Sequence, residues 1–215
     1  CVEDGNVLVG TDLSGIELRC LAHYMQDDDW TEELLNGDIH TKNAQAAGID
    51  RPKAKTMVYA TLYGCGIGKL ATILECSDKE ASKVLNNFYK NTPKLRDLLE
   101  KVKRIASKGY VPSLTGGRIQ VRSEHSALNT LLQGAGASIA KQWCVTAHQQ
   151  LRRANIPAQQ VAIVHDEIQI EVPEQYAEQV AEIMVASAQE AGQILGFRVP
   201  VDAESKIGKN WYETH

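Results

Sequence analysis

The stretch VAIVHDEIQIEV, residues 161–172, decides how the chain is read. Two β-branched runs meet at His165-Asp166, an interruption with room only for a tight turn. The pattern predicts an antiparallel hairpin with Asp166 at its tip, exposed at one end of a sheet. Toward the N-terminus, VLVGTD (7–12) reads as a short buried strand ending on a second acid, Asp12. Residues 16–26 then have helical spacing, with Ile16, Leu18, Leu21, Ala22 and Met25 as the apolar members. If the strands ending at Asp12 and Asp166 are neighbours, their carboxylates converge. Facing carboxylates repel unless a cation neutralises them, and hard oxygen donors of this kind suit Mg²⁺. Taken singly, an Asp in the place of Asp12 is more often just a helix cap.

Between these strands the texture is helical. DDDW (27–30) reads as a solvated break, and 38–48 as a helix with Asp38 as its N-cap. Residues 51–63 form a strong helix with Pro52 tolerated in the first turn, ended by Gly64, Gly66 and Gly68. Helices follow at 78–90, opened by Ser77 or Asp78, and at 93–108, opened by Thr92-Pro93 and closed by Gly109. Beyond Gly109, 111–114 and 118–122 flank a Thr115-Gly116-Gly117 turn as a hairpin. A long helix spans 123–153, another 174–193, and 197–204 reads as the last strand. Strands from both ends of the chain therefore enclose a helical insertion at about 27–109, an α+β architecture.

The net charge of −4 hides an asymmetry. Residues 1–40 carry one base and ten acids (−9), 41–110 fourteen bases and six acids (+8), and 111–215 eight bases and eleven acids (−3), which together give −4. A basic middle attracts phosphates, although Lys-rich solvated helix faces produce the same pattern. No apolar run approaches the ~20 residues of a membrane span, and no signal peptide is evident. Five cysteines (Cys1, Cys20, Cys65, Cys76, Cys144) are odd in number, without metal-site or disulfide spacing. They read as ordinary thiols in a reducing cytosol. Residue 1 is Cys rather than Met, which reads as a fragment, a processed product or an incomplete frame.

Two polar patterns lie on helices. Arg51, Lys55, Tyr59 and Tyr63 are spaced by four and form one stripe. Two cations followed by two aromatics suit a nucleoside triphosphate, the cations for phosphate and the rings for sugar and base. A basic first turn followed by core tyrosines explains the same residues. Asn129 and Gln133, four apart, can read minor-groove acceptors but also match any solvated helix.

The order of these segments carries the reading further. DLSGIELR (12–19), RPKAKTMVYATLYG (51–64) and VHDE (164–167) resemble motifs A, B and C of family A DNA polymerases. GDIHT (37–41) resembles the fingers segment that places a histidine near the phosphates, and LNTLLQGAGA (128–137) the palm helix before motif C. RCLAHYM, GDIHT, ALNTLLQ and KIGKNW are most similar to the replicative polymerases of short-tailed phages.

The resemblance implies a right-hand palm at 1–26 and 110–215, with a helical fingers subdomain at 27–109. It implies template-directed DNA synthesis from dNTPs on a primer–template, using two Mg²⁺ ions with Mn²⁺ as a substitute. Asp12 and Asp166 would hold the metals, with the Leu13 carbonyl as an extra ligand and Glu167 close by. His40, Arg51 and Lys55 would grip the triphosphate, and Lys55 would also protonate the pyrophosphate. Tyr59 would pack on the sugar, Tyr63 border the templating position, and Glu17 exclude a 2′-hydroxyl. Asn129 and Gln133 would contact the minor groove, and His165 the primer end. Leu13 and Gly15 stand where motif A often has Tyr and Gln, and His125 where bacterial relatives often have Arg.

The thumb and exonuclease domains of such enzymes have no counterpart in these residues. The expectation is an N-terminal polymerase portion carrying the thumb as partner, no membrane, and action in the bacterial cytoplasm of a phage-infected host. Two rivals are a single-subunit RNA polymerase, against which Glu17 argues, and a catalytically dead DNA-binding subunit, against which Asp12, Asp166, Arg51 and Lys55 argue.

Overall fold

A computed structural model describes residues 2–215. In chain order its elements are β1 (Asn6–Leu13), α1 (Ile16–Met25), α2 (Asp28–Asn36), α3 (Ile39–Ala47), α4 (Arg51–Leu62), α5 (Ile67–Leu74), α6 (Asp78–Asn91) and α7 (Pro93–Ala106). There follow β2 (Tyr110–Pro112), β3 (Arg118–Gln120), α8 (Ala127–Arg153), β4 (Gln159–Val164), β5 (Glu167–Pro173), α9 (Ala177–Ile194), β6 (Ala203–Gly208) and α10 (Trp211–Thr214). The chain forms two compact units. One comprises the residues up to Cys20 with Ala135–His215, and the other Leu21–Gly134. The boundaries fall inside α1 and α8.

The first unit is built on a four-stranded antiparallel sheet in the order β4-β5-β1-β6. β1 is central, and its side chains divide between two faces as the pleat requires. Thr11 pairs with Ser205, whose hydroxyl reaches Ala181 of α9. On the opposite face Gly10 pairs with Gln169, and the Gln169 side chain bonds Thr214 of α10. A Cβ at Gly10 would stand 2.8 Å from the Thr214 carbonyl oxygen, so only glycine lets α10 lie this close. The fully buried Trp143 of α8 donates its indole N–H to the Met184 carbonyl at 2.9 Å, joining α8 to α9 in the core.

The second unit is helical apart from the short β2–β3 hairpin. Several helix starts are set by local side-chain caps. Asp38 accepts from the His40 and Thr41 amides, Asp50 from the Lys53 amide, and Ser77 forms a capping box with Glu80. Gly134 of α8 packs so close to Ile119 that a Cβ would collide with it.

Two expectations need correction. DDDW is not a solvated break: Asp27 caps α2 through the Trp30 amide, and Trp30 is buried with its indole on Asn43. The glycines after α4 do end that helix, which stops at Leu62 with Gly64 at a φ of 74°, but a helix without a forecast follows at once: Gly66 opens α5 and Gly68 lies in its first turn. The last strand is 203–208 rather than 197–204. Phe197, Val199 and Val201 alternate into the core as a strand would, but Pro200 has no N–H to donate, and its carbonyl is taken by Arg19. The ladder begins only at Ala203, opposite Leu13. The C-terminal turn α10 had no forecast.

Candidate active site

The β1–β5 pairing runs in register from Asn6↔Pro173 to Asp12↔Glu167, and the two-residue turn His165-Asp166 closes β4 onto β5. The Leu13 amide then donates to the Asp166 carbonyl at 3.0 Å, one residue beyond the last pair. Asp12 and Asp166 are thereby held side by side at one end of the sheet. On the other flank β6 places Glu204 directly opposite Asp12. A row Glu204–Asp12–Glu167 crosses three strands, with Asp166 at its edge. A cleft of about 560 Å³ opens there, lined among others by Asp12, Gly15, His165, Asp166, Glu204 and His215.

The three strands crowd negative charge onto Asp12. Burial first, then Asp166 and Glu167, push its carboxyl up to about 6, with His215 opposing. A cation would relieve the repulsion within such a cluster. Among the described residues no group of three or more His, Cys, Asp or Glu is arranged to hold a metal ion, so the protein supplies no closed cage. Two carboxylates at an open cleft suit Mg²⁺, which keeps water and substrate oxygens in its shell, better than a metal needing a closed protein cage. Leu13 has its side chain in the core, 1% exposed, so only its backbone can serve as a ligand.

Glu167 is different in kind. It is buried, with Oε1 accepting from the Trp211 indole at 2.8 Å and from the Gln169 amide, and Oε2 facing the His215 ring at 2.6 Å. Burial would raise its carboxyl, but the bonds from Gln169, His215 and Trp211 outweigh it and lower the group. It stays charged and saturated with donors. Trp211, Thr214 and His215 thus organise this end of the sheet, as does Glu204. None of the four was singled out from sequence. KIGKNW was a signal for Trp211, but nothing in the residue order marks the register of Glu204.

His165 is exposed at the hairpin tip with a left-handed φ of 54°. A turn with positive φ at its first central position usually takes glycine, so a histidine there carries strain. Glu17 is half-buried in the first turn of α1.

In the helical unit, α4 turns Ala54, Met57, Val58 and Leu62 into the core. Arg51, Lys55, Tyr59 and Tyr63 therefore run along its outer side, Arg51, Lys55 and Tyr63 exposed and Tyr59 half-buried. Core tyrosines are ruled out for this stripe. His40 on α3 lies beside it, its ring 6.3 Å from that of Tyr59. Burial, then the charges of Lys55 and Arg51, lower the His40 imidazole against the pull of Asp38, so it stands neutral near pH 7. Its Nδ1 is buried without a hydrogen bond. Arg51 is held by Asp38, at 2.7 Å from Nε to Oδ2 and 3.2 Å from Nη2 to Oδ1. Sequence spacing marked Asp38 as a cap but not as this partner. On α8, Asn129 is half-buried and Gln133 exposed, one turn apart.

Comparison with known proteins shows the family. The family model described as DNA polymerase family A matches residues 1–213. The DNA-directed DNA polymerases of Enterobacteria phage T3 and Escherichia phage T7 are each 36% identical over 97% of this chain and 33% of theirs. DNA polymerase I of Caldicellulosiruptor bescii is 31% identical over 99% of the chain and 27% of its own length. The chain thus spans about a third of the phage relatives. The POL domain of Pol1 from M. smegmatis, solved in complex with DNA primer-template and dNTP, superposes with a TM-score of 0.87 at 26% identity, over 98% of this chain and 41% of that one. With the α+β fold, the paired Asp12 and Asp166 and this match along nearly its whole length, the chain belongs to DNA polymerase family A.

Proposed function

We propose that the chain carries the catalytic palm and fingers of a DNA-directed DNA polymerase, which adds dNMP from dNTP to a primer 3′-hydroxyl and releases pyrophosphate. Residues 1–26 and 110–215 serve as palm and 27–109 as fingers. Compactness alone groups 21–26 and 110–134 with the helices. The observation that carries the proposal is the side-by-side placement of Asp12 and Asp166 by the β1–β5 register and the Leu13–Asp166 hydrogen bond.

Asp12, Asp166 and the Leu13 carbonyl would hold two Mg²⁺ ions, for which Mn²⁺ can substitute. When bound, the ions activate the 3′-hydroxyl and stabilise charge on the leaving pyrophosphate. Glu167, saturated by its own donors, keeps its negative charge beside the pair without being a ligand. Arg51 and Lys55 bind the triphosphate, as does neutral His40, whose ring N–H donates to a phosphate oxygen. Lys55 supplies the proton for the pyrophosphate. Tyr59 packs on the sugar and Tyr63 borders the templating position. Glu17 excludes the 2′-hydroxyl, Asn129 and Gln133 contact the minor groove, and His165 the primer end. The primer–template complex of the M. smegmatis polymerase domain supports DNA and dNTP as the ligands. We assign the thumb to an N-terminal polymerase portion, and the site of action to the bacterial cytoplasm. No helix among the described residues is long and apolar enough to cross a membrane.

The test is primer extension with Mg²⁺ by the complete polymerase. Asp12→Asn and Asp166→Asn should each abolish extension while the circular-dichroism melt stays cooperative, because a lost ligand removes stabilisation made mainly in the transition state. Near-normal turnover by either variant would refute the site.

A further inference from the structure

One carboxylate in the helical unit holds together both anion-binding elements. Asp38 lies in the GDIHT segment, and its own amide donates to Glu33 at 2.9 Å. Gly37 makes room for that contact, since a Cβ there would collide with the Glu33 carboxylate. Asp38 Oδ1 accepts from the His40 amide at 3.1 Å and the Thr41 amide at 3.3 Å, and Oδ2 from the Thr41 hydroxyl at 2.8 Å. The same two oxygens take the fork of Arg51. The Arg51 fork first, then Thr41, hold the Asp38 carboxyl well below the usual carboxylate range.

The geometry decides which of two roles this pair has. Were Asp38 a competitor for the triphosphate, it would occupy the guanidinium edge that phosphate needs. It uses instead the edge formed by Nε and Nη2, and Nη1 makes no hydrogen bond to the described residues. Five N–H donors are set in a rigid fork, so the Nη1–Nη2 edge can still meet a phosphate bidentately. An arginine tethered on one edge has little rotamer freedom left to lose when the other binds.

We propose that Asp38 is a positioning residue for the incoming nucleotide: by capping α3 and gripping one edge of Arg51, it sets His40 and Arg51 for the triphosphate. This rests on the polymerase reading above. It reaches substrate only through Arg51 and His40, and it explains why a lone exposed ion pair, ordinarily worth little, is bidentate and tied to a helix start.

The test measures kcat and KM for dNTP with the complete polymerase carrying Asp38→Asn, Asp38→Ser, Asp38→Glu, Arg51→Ala, and Asp38→Asn combined with Arg51→Ala. Asn and Ser both cap helices, so the fold should persist, checked by the thermal melt, while the charge that holds Arg51 is gone. Asp38→Asn and Asp38→Ser should raise KM about threefold to tenfold with kcat changed less than about twofold. Asp38→Glu should recover part of the loss. Added to Arg51→Ala, Asp38→Asn should raise KM by no more than its effect through His40, well short of its effect in the wild type. An unchanged or lowered KM, or full additivity with Arg51→Ala, overturns the positioning role. Extension insensitive to Asp12→Asn would instead overturn the polymerase reading, so the two failures are separable.

Discussion

The amide of Leu13 donates to the carbonyl of Asp166 at 3.0 Å, across 153 residues of sequence (166 − 13). The bond needs no side chain. It forms because β1 and β5 pair in register up to Asp12↔Glu167 and the two-residue turn presents the Asp166 carbonyl at the strand end. With the Leu13 side chain in the core, the backbone at this point is left little freedom. The two carboxylates proposed as metal ligands flank that bond.

Metal and pH should be coupled through Asp12. Its carboxyl, ordinarily near 3.9, is raised to about 6 by burial and by Asp166 and Glu167. Between about pH 4 and 6 the folded chain binds this proton more tightly than the unfolded chain. Stability therefore falls as pH rises through that window, and the cost is complete above about 6. After allowance for solvent screening at this half-exposed group, the cost is about 1 kcal/mol. On the proposed reading Mg²⁺ would bind the ionised pair and offset that cost. Scanning calorimetry should show Mg²⁺ raising Tm more at pH 7.5 than at pH 5, and the difference should vanish in Asp12→Asn. Equal shifts at both pH values would contradict the coupling.

The hairpin tip trades stability for a side chain. A non-glycine residue in the left-handed region costs roughly 1–2 kcal/mol, part of which glycine returns as unfolded-state entropy. His165→Gly should therefore stabilise the chain by about 0.5–1 kcal/mol, read from urea midpoints, while weakening primer extension. A variant both less stable and fully active would mean that the φ of 54° is unstrained and the imidazole idle.

Sugar selection should reside in Glu17. Replacing it with Ala removes a carboxylate proposed to exclude a 2′-hydroxyl, and should raise the ratio of ribonucleotide to deoxynucleotide incorporation roughly tenfold to a hundredfold. Competition of the two nucleotides in single-turnover extension measures that ratio. No change would remove Glu17 from the sugar-reading site and revive an RNA-making enzyme as a rival.

Tyr59 supplies a different readout. Its ring is half-buried beside His40 on the outer side of α4. Under the proposed role its hydroxyl can replace the group that a dideoxynucleotide lacks. Tyr59→Phe removes that partner, so discrimination against dideoxynucleotides should rise by about one to two orders of magnitude. Deoxynucleotide use should change much less, since that substrate brings its own 3′-hydroxyl. Chain-termination ratios on one template check this, and unaltered termination would take Tyr59 off the sugar.

Patterns that repeat within one element were legible in the residue order. The two β-branched runs meeting at His165-Asp166 marked the hairpin, and the spacing of Arg51, Lys55, Tyr59 and Tyr63 marked a stripe that the buried Ala54, Met57, Val58 and Leu62 turn outward. Ser77 and Asp38 declared helix starts through local hydrogen bonds. Asp12 and Asp166 were legible as partners only because both end strands. Where local signals conflicted, tertiary context decided: buried Trp30 completes a helix in an acidic run, and Pro200 denies the ladder to an alternating apolar segment.

What the residue order alone determined were the contacts made within a few positions along the chain: elements, caps, stripes and motifs. What only the tertiary structure decided were the pairings between distant segments. These are Glu204 opposite Asp12, the bond from Leu13 to Asp166, His215 and Trp211 on Glu167, and the fork of Arg51 on Asp38. Strand register and side-chain partners depend on which surfaces are buried together. A strand shifted by one residue would keep the same composition and local spacing, yet turn every side chain to the other face.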